Sequence, residues 1–157
     1  MGRIEARMRE TGIEFPPDWT PRGNFLPYRR HGALVFLSGQ ICEWDGEVTC
    51  EGPVGPSADA IATARAAARV CALNLLARLR QACDGDLDRV ASIQRLGGFV
   101  NGVPGFPASP AVIDGATEVF ATLWGDDGLH ARTAVAVSGL PGNAAVEVDA
   151  VVALKAD

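Results

Sequence analysis

A long run of alanine and leucine in the middle of the chain constrains its fold more than any other feature. Between Ser57 and Cys83 the apolar residues recur at the spacing of a helix and form a single stripe. Ser57 is a suitable N-cap for this helix, and Asp84-Gly85 ends the pattern. The residues of the stripe are Ile61, Ala64, Ala68, Ala72, Leu75, Leu76 and Leu79. Because so many of these side chains are short, the stripe predicts a helix that packs closely on a sheet.

Segments with strand patterns lie on both sides of this helix. The predicted elements are strands at 33–42, 47–50, 90–100, 133–137 and 145–154, and a second helix at 111–124. Asp45-Gly46 predicts a two-residue hairpin turn between the first two strands. The order is β-β-α-β-α-β-β, which predicts an α+β domain with two helices on one face of a sheet.

Length and charge limit the number of domains and the classes of partner. The chain of 157 residues predicts a single domain over 1–157, with a short charged helix over about 1–14 at its N-terminal end. A net charge of −5 counts against nucleic acid as the main partner. No apolar run approaches the roughly 20 residues of a membrane span, and the first ten residues lack the apolar core of a signal peptide. We therefore expect a cytoplasmic protein with no membrane partner.

Common catalytic and metal-binding motifs are missing from the sequence. It has no glycine motif for phosphate or dinucleotide binding and no Cys/His pair spaced for a metal ion. Only two histidines, His31 and His130, could serve as the base of a nucleophilic hydrolase, and neither lies in a nucleophile motif. His130 is interpreted as a loop residue. No metal and no organic cofactor is expected.

Two charged residues near the C-terminus stand within strongly apolar strands. Arg132 opens the segment HARTAVAV, and Glu147 lies in the next predicted strand, AVEVDAVVAL. A surface salt bridge between adjacent strands is the interpretation that composition favours. A functional site is the alternative, because apolar neighbours would partly desolvate both charges and because arginine can hold a carboxylate through two parallel hydrogen bonds.

These segments together resemble the Rid family, the reactive intermediate deaminases, which are also called YjgF-like or L-PSP endoribonuclease-like proteins. The resemblance covers nearly the whole chain, through LPYRRHGALVFLSGQ, the alanine-leucine helix, GFVNGVPGF and HARTAVAVSGLPGNAAVEVDAVV. The last stretch is similar to the family signature, including the 15-residue spacing from Arg132 to Glu147. The N-terminal extension and VNGVPGF resemble a divergent branch. The resemblance implies a chorismate-mutase-like α+β fold and a homotrimer whose sheets close a barrel, with three ligand clefts between subunits.

The resemblance also implies the roles of four residues. Arg132 matches the arginine that clamps the substrate carboxylate, and Glu147 matches the acid that positions or activates the attacking water. Tyr28 resembles the aromatic residue at the cleft wall, and Gly39 falls in the SGQ turn where the backbone approaches the ligand. The activity implied is hydrolysis of 2-imino acids, formed from 2-enamine acids, to 2-keto acids and ammonia.

Two further positions of the implied substrate site depart from the family pattern and keep other functions open. Asp114 stands where active deaminases often carry asparagine, and its charge would repel a substrate carboxylate. Ala134 stands where cysteine is frequent, which removes any thiol role. The alternative function is a module of the same fold that binds a small carboxylate, such as a keto acid, without turnover. An endoribonuclease is the third function, and the acidic net charge makes it the least favoured.

Overall fold

The computed structural model describes residues 2–17 and 23–156, which fold around a five-stranded mixed sheet. Its strand order is β1-β2-β7-β5-β6, and every pairing is antiparallel except the parallel pair β5–β6. A separate hairpin joins β3 to β4. The elements are α1 (Arg3–Thr11), β1 (Tyr28–His31), β2 (Leu34–Ile41), β3 (Glu43–Trp44), β4 (Glu47–Val48), α2 (Ala58–Ala82), β5 (Val90–Asn101), α3 (Ser109–Trp124), β6 (Ala131–Val137) and β7 (Val146–Leu154).

The alanine-leucine helix forms as the sequence predicts. The Ser57 hydroxyl accepts a hydrogen bond from the backbone N–H of Ala60 at 3.1 Å, which is an N-cap contact. The stripe of α2, apart from the partly buried Ile61, is buried against β2 and β7, and α3 lies alongside it. Within the described residues, α2 is the one helix with the length and hydropathy of a membrane span, and half of that apolar stretch is buried inside the domain. Such burial is typical of a core helix.

The two faces of the sheet differ in what covers them. On β7 the side chains that point toward the helices are all buried: Val146, Val148, Ala150, Val152 and Leu154. The opposite face is left open by the described helices. Leu34, Phe36 and Val135 on that face are 37%, 45% and 42% exposed, which is high for large apolar side chains of a single domain. The predicted α+β architecture with two helices on one face is therefore confirmed, and the described residues of one chain leave its second face uncovered.

Some strand boundaries differ from the prediction. The sequence predicts no strand at residues 28–31, yet β1 pairs there with Leu34–Leu37. This four-residue edge strand consists largely of exposed polar side chains, so its backbone pairing leaves no hydrophobic alternation to detect. β6 begins at Ala131, two residues before the predicted start, and therefore includes Arg132.

The strands that carry Arg132 and Glu147 are not adjacent, so the expected salt bridge between neighbouring strands is wrong. β5 lies between them and pairs with both strands, through Leu96 opposite Arg132 and Phe99 opposite Glu147. The reason is topological: the crossover through α3 places β6 parallel to β5, and β7 then returns antiparallel on the other edge of β5. Proximity in sequence favours the pairing of consecutive strands, which this crossover prevents.

Asp88 attaches the N-terminal helix to the rest of the domain. Its carboxylate accepts hydrogen bonds from the backbone N–H groups of Arg3 at 2.6 Å and Ile4 at 2.8 Å, which are unpaired donors of the first turn of α1. Desolvation raises the pKa of Asp88, but the hydrogen bonds from Ile4 and Arg3 outweigh it and hold that pKa below its ordinary value. The carboxylate therefore acts as a remote N-cap for α1.

Replacing this cap should weaken the fold in a pH-dependent way. We expect Asp88→Ala to lower the free energy of unfolding by about 1–2 kcal/mol at pH 7, because two charge-assisted hydrogen bonds are lost. Since the pKa is lowered in the folded state, this stabilisation is present above the pKa of the unfolded chain and is lost as the pH falls through the folded value. Urea titrations at several pH values measure both effects. Asp127→Ala, at an exposed position, is the control, and an equal loss in both variants would contradict the cap.

Candidate functional site

A cavity of about 240 Å³ opens at one edge of the sheet, where β2 extends past the end of β1. β1 pairs only as far as Leu37, so the following residues of β2 have no strand on their outer side. The cavity is lined by Phe25, Gly39, Gln40, Ile41, Glu43, Asn74, Pro141 and Glu147. Two residues that the sequence predicts for the site, Gly39 and Glu147, therefore share this cavity.

Glu147 is the chemically distinctive group of the cavity. It lies on β7 between Ile41 of β2 and Phe99 of β5, and its side chain is partly buried. Burial raises the pKa of the Glu147 carboxyl above its ordinary value, and the nearby negative charge of Asp149 raises it further. A raised pKa brings a carboxyl closer to the range in which it can both accept and return a proton near neutral pH.

Gly39 makes room for the Glu147 side chain. The β2–β7 register shifts between Leu37 and Gln40, so Gly39 stands in an irregular part of the strand. A Cβ at position 39 would collide with Glu147 Oε1 and would lie 3.3 Å from its Cγ. The absence of a side chain at Gly39 thus allows the carboxyl group to rest directly against the β2 backbone.

The buried amides of the cavity were not predicted from the sequence. Gln40 and Asn74 are each 4% exposed, and both donate hydrogen bonds to backbone carbonyls. Asn74 Nδ2 donates to the Glu43 carbonyl oxygen at 2.7 Å, which ties α2 to the start of β3. Gln40 Nε2 donates to the carbonyl oxygens of Ser38 and Gly39, both at 3.2 Å. A detectable signal existed for Asn74, because it is a polar residue on the buried side of the alanine-leucine helix.

Arg132 lies in a second cluster, on β6 at the other edge of the sheet, and its side chain is directed at α3. Its Nη1 donates to Asp114 Oδ1 at 2.7 Å and to Thr117 Oγ1 at 3.0 Å, and its Nη2 donates to the Pro110 carbonyl oxygen at 3.3 Å. These three partners recur along α3 at helical spacing and so face β6 together. Thr117 was not predicted, although its position three residues after Asp114 places it on the same helix face.

The two clusters do not meet within one chain. β5 separates β6 from β7, so the backbones of Arg132 and Glu147 are about 10 Å apart across the sheet alone. Arg132 is beside Leu96 on the helix-covered face, whereas Glu147 is beside Phe99 on the uncovered face. A site that uses both side chains must therefore take them from different copies of the chain.

The remaining predicted site residues lie outside the cavity lining. Tyr28 begins β1, pairs with Leu37 and packs partly buried against the core. Ala134 follows Arg132 by two residues on the same face of β6, opposite Gly98 of β5. In the part of the chain that the structure describes, no three His, Cys, Asp or Glu side chains are grouped as metal ligands.

Comparison with known proteins identifies a matching family model and several similar proteins. Residues 5–154 match the family model described as "YjgF/chorismate mutase-like, putative endoribonuclease". Protein TCP17 of Trypanosoma cruzi is 39% identical over 154 residues, which covers 98% of this chain and 95% of that protein. The crystal structure of Atu1372 from Agrobacterium tumefaciens, a protein of unknown function, has a TM-score of 0.88 and 39% identity, with 98% of this chain and 93% of that one covered. RidA from the Antarctic bacterium Psychrobacter sp. PAMC 21119 is similar at 20% identity and a TM-score of 0.56, with 89% and 94% covered, which shows a shared fold.

The close approach of Gly39 to Glu147 can be tested directly. We expect Gly39→Ala to push the carboxyl group away from the β2 backbone and to lower its raised pKa toward the ordinary value, because the group becomes better hydrated. The measurement is an NMR titration of ¹³C-labelled glutamate side chains. Gly139→Ala is the matched control, since a Cβ at Gly139 would meet no atom within 4 Å. An unchanged Glu147 pKa in Gly39→Ala would show that Gly39 does not determine the environment of the carboxyl.

Proposed function

This chain belongs to the YjgF/chorismate mutase-like family, the Rid family, and on that premise we propose that it hydrolyses 2-imino acids to 2-keto acids and ammonia. The observation that carries the proposal is the partly buried carboxyl of Glu147, with its raised pKa, in a cavity beside Gly39. Family membership alone does not assign an activity, because one fold hosts many functions. The activity therefore depends on what the groups of the cavity can do.

Glu147 suits the role of general base and then general acid. Its carboxylate accepts a proton from a water molecule while the water oxygen forms a bond to the imine carbon and the C=N electron pair moves to nitrogen. The proton passes to that nitrogen to give the carbinolamine. Glu147 then takes the hydroxyl proton and returns it to the amino nitrogen, so that the C–N bond breaks, ammonia leaves and the C–O bond becomes the keto group. The overall balance is one imino acid and one water giving one keto acid and one ammonia, with no redox change.

Arg132 is proposed to anchor the substrate carboxylate from a neighbouring subunit. In one chain, Arg132 and the Glu147 cavity lie toward opposite edges of the sheet, and the face with Leu34, Phe36 and Val135 is uncovered. A closed homotrimer would bury that face and repeat the same contact three times. Each contact would bring one edge of the sheet in one copy against the opposite edge of the sheet in the next copy. This arrangement gives three clefts, each with Glu147 from one copy and Arg132 from the next.

A second candidate function is binding of a small carboxylate without turnover, and one contact favours it. The Arg132 guanidinium already holds the carboxylate of Asp114 at 2.7 Å. A ligand carboxylate therefore binds Arg132 beside Asp114, and this departure from the asparagine that the family's active deaminases often carry favours binding without turnover as the alternative. The acidic net charge of −5 keeps an endoribonuclease the least favoured activity.

Removal of the Glu147 base should abolish catalysis with little effect on folding. We expect Glu147→Gln to reduce kcat by about 10²–10⁴-fold, the range typical of a lost general base. As the pH is lowered, kcat/KM of the wild type should decrease. Because the pKa of Glu147 is raised, this decrease should begin at a higher pH than it would with a glutamate of ordinary pKa. The assay generates imines in situ with an amino-acid oxidase and follows keto-acid release above the spontaneous rate.

Glu47→Gln, an exposed position in the β3–β4 hairpin, is the matched control and should behave as the wild type. Wild-type release no faster than the spontaneous rate, over imines of several side chains, would reject the enzyme. Tight binding of pyruvate in that same case would support the binding module instead.

Mixing two inactive variants tests whether the site lies between copies. Arg132→Ala and Glu147→Gln should each be inactive, but trimers reassembled from an equal mixture should regain about a quarter of wild-type activity, because a quarter of the clefts receive both intact residues. Light scattering should give a mass of about three times 16.4 kDa for each sample. A mixture as inactive as its components, in confirmed mixed trimers, would contradict the shared site, and a monomer mass would contradict the trimer.

A further inference from the structure

Arg132 is held by more than its ion pair with Asp114. A chain of hydrogen bonds extends from its guanidinium through Thr117 to His130, and neither of these two residues has a role in the proposed reaction. His130 directly precedes β6, and Thr117 lies in the middle of α3. This series of hydrogen bonds therefore connects β6, the strand that carries Arg132, to α3.

The last acceptor of this hydrogen-bond series determines which group donates and which accepts in each of its hydrogen bonds. His130 Nδ1 lies 2.8 Å from the carbonyl oxygen of Gly128, which can only accept, so Nδ1 carries the proton. Burial of His130 lowers its pKa, and Arg132 lowers it further against the opposing hydrogen bond to Gly128, so the ring is neutral near pH 7. Its Nε2 is then an acceptor, 3.1 Å from the Thr117 hydroxyl.

The Thr117 hydroxyl therefore has a fixed orientation. It donates its one hydrogen to His130 Nε2, so a lone pair remains to accept from Arg132 Nη1 at 3.0 Å. The imidazole is itself held edge-on against the buried ring of Phe120, with centroids 6.4 Å apart and planes at 86°. A rigid imidazole thus sets the direction of the hydroxyl that meets the guanidinium.

A count of the guanidinium donors shows what this arrangement leaves for a ligand. Both Nη1 hydrogens are taken, by Asp114 and Thr117, and one Nη2 hydrogen is taken by Pro110. Within the described residues, two of the five donors have no acceptor, one on Nε and one on Nη2. Two donors are the number that a carboxylate needs for a bidentate contact.

We propose that Thr117 and His130 are positioning residues for Arg132, which fix the guanidinium on α3 so that its two remaining donors grip the carboxylate of a 2-keto or 2-imino acid. This inference rests on the proposed function for the identity of the ligand. It differs from a general stabilising role, because it requires both the hydroxyl of Thr117 and an acceptor at the Nε2 position of His130.

Paired substitutions separate positioning from packing. Thr117→Val keeps the shape but lacks the hydroxyl, whereas Thr117→Ser restores it. His130→Asn keeps a polar group near the Nδ1 position only, whereas His130→Gln places an amide oxygen near the Nε2 position. Because Arg132 contacts the carboxylate in the ground and transition states alike, we expect Thr117→Val and His130→Asn to raise KM and the Kd for pyruvate about tenfold with kcat little changed. The two rescuing variants should stay within about twofold of wild type.

A spectroscopic measurement tests the positioning without reference to turnover. The Arg132 Nε–H signal in ¹H–¹⁵N NMR should be sharp in the wild type and in Thr117→Ser, and broadened by exchange in Thr117→Val and His130→Asn. KM and line width that are unchanged in Thr117→Val would overturn the proposal. A fall in kcat that accompanies a loss of stability, with KM unchanged, would also overturn the proposal, because that pattern indicates a packing role. If the wild type neither binds pyruvate nor hydrolyses imines, the proposed function fails, and the line widths alone still decide whether Thr117 and His130 hold Arg132.

Discussion

Close packing between α2 and the sheet is the constraint on which the rest of the structure depends. Alanines along the buried stripe allow the helix backbone to approach β2 and β7 more closely than leucines would. That approach brings Asn74 within hydrogen-bond distance of the Glu43 carbonyl, which holds β3 beside the end of β2. The cavity that contains Glu147 is bounded by these same elements. A core built from short side chains thus produces the wall of the candidate site.

The elements with strong local patterns were predictable from the sequence. The alanine-leucine stripe, the Ser57 cap and the strand predicted at 145–154 each depend on interactions between residues a few positions apart, and all three occur in the structure. The Asp45-Gly46 turn was also predictable from adjacent residues alone, because both residues take positive φ values that these residue types tolerate. The edge strand β1 lacked such a signal, because its exposed polar side chains show no alternation.

The arrangement of the candidate site was harder to predict, because it depends on strand order. The sequence identifies Arg132 and Glu147 as unusual charges in apolar strands, and nothing in their spacing reveals that β5 is inserted between them. Likewise, Asp114 stood out as a charge that would repel a ligand carboxylate, whereas in the structure it is the ion-pair partner of Arg132. Pairwise contacts across a helix and a strand are set by tertiary packing, which a linear pattern does not contain.

The uncovered sheet face has a consequence for how the protein responds to dilution. Leu34, Phe36 and Val135 remain partly in water as long as nothing covers that face, and burial of the exposed part of each side chain gains roughly 1 kcal/mol. Any partner that covers the face adds its binding free energy to the folded state, so apparent stability becomes a function of concentration. The melting temperature of this chain is then a property of the sample as well as of the sequence, and values taken at different protein concentrations are not interchangeable.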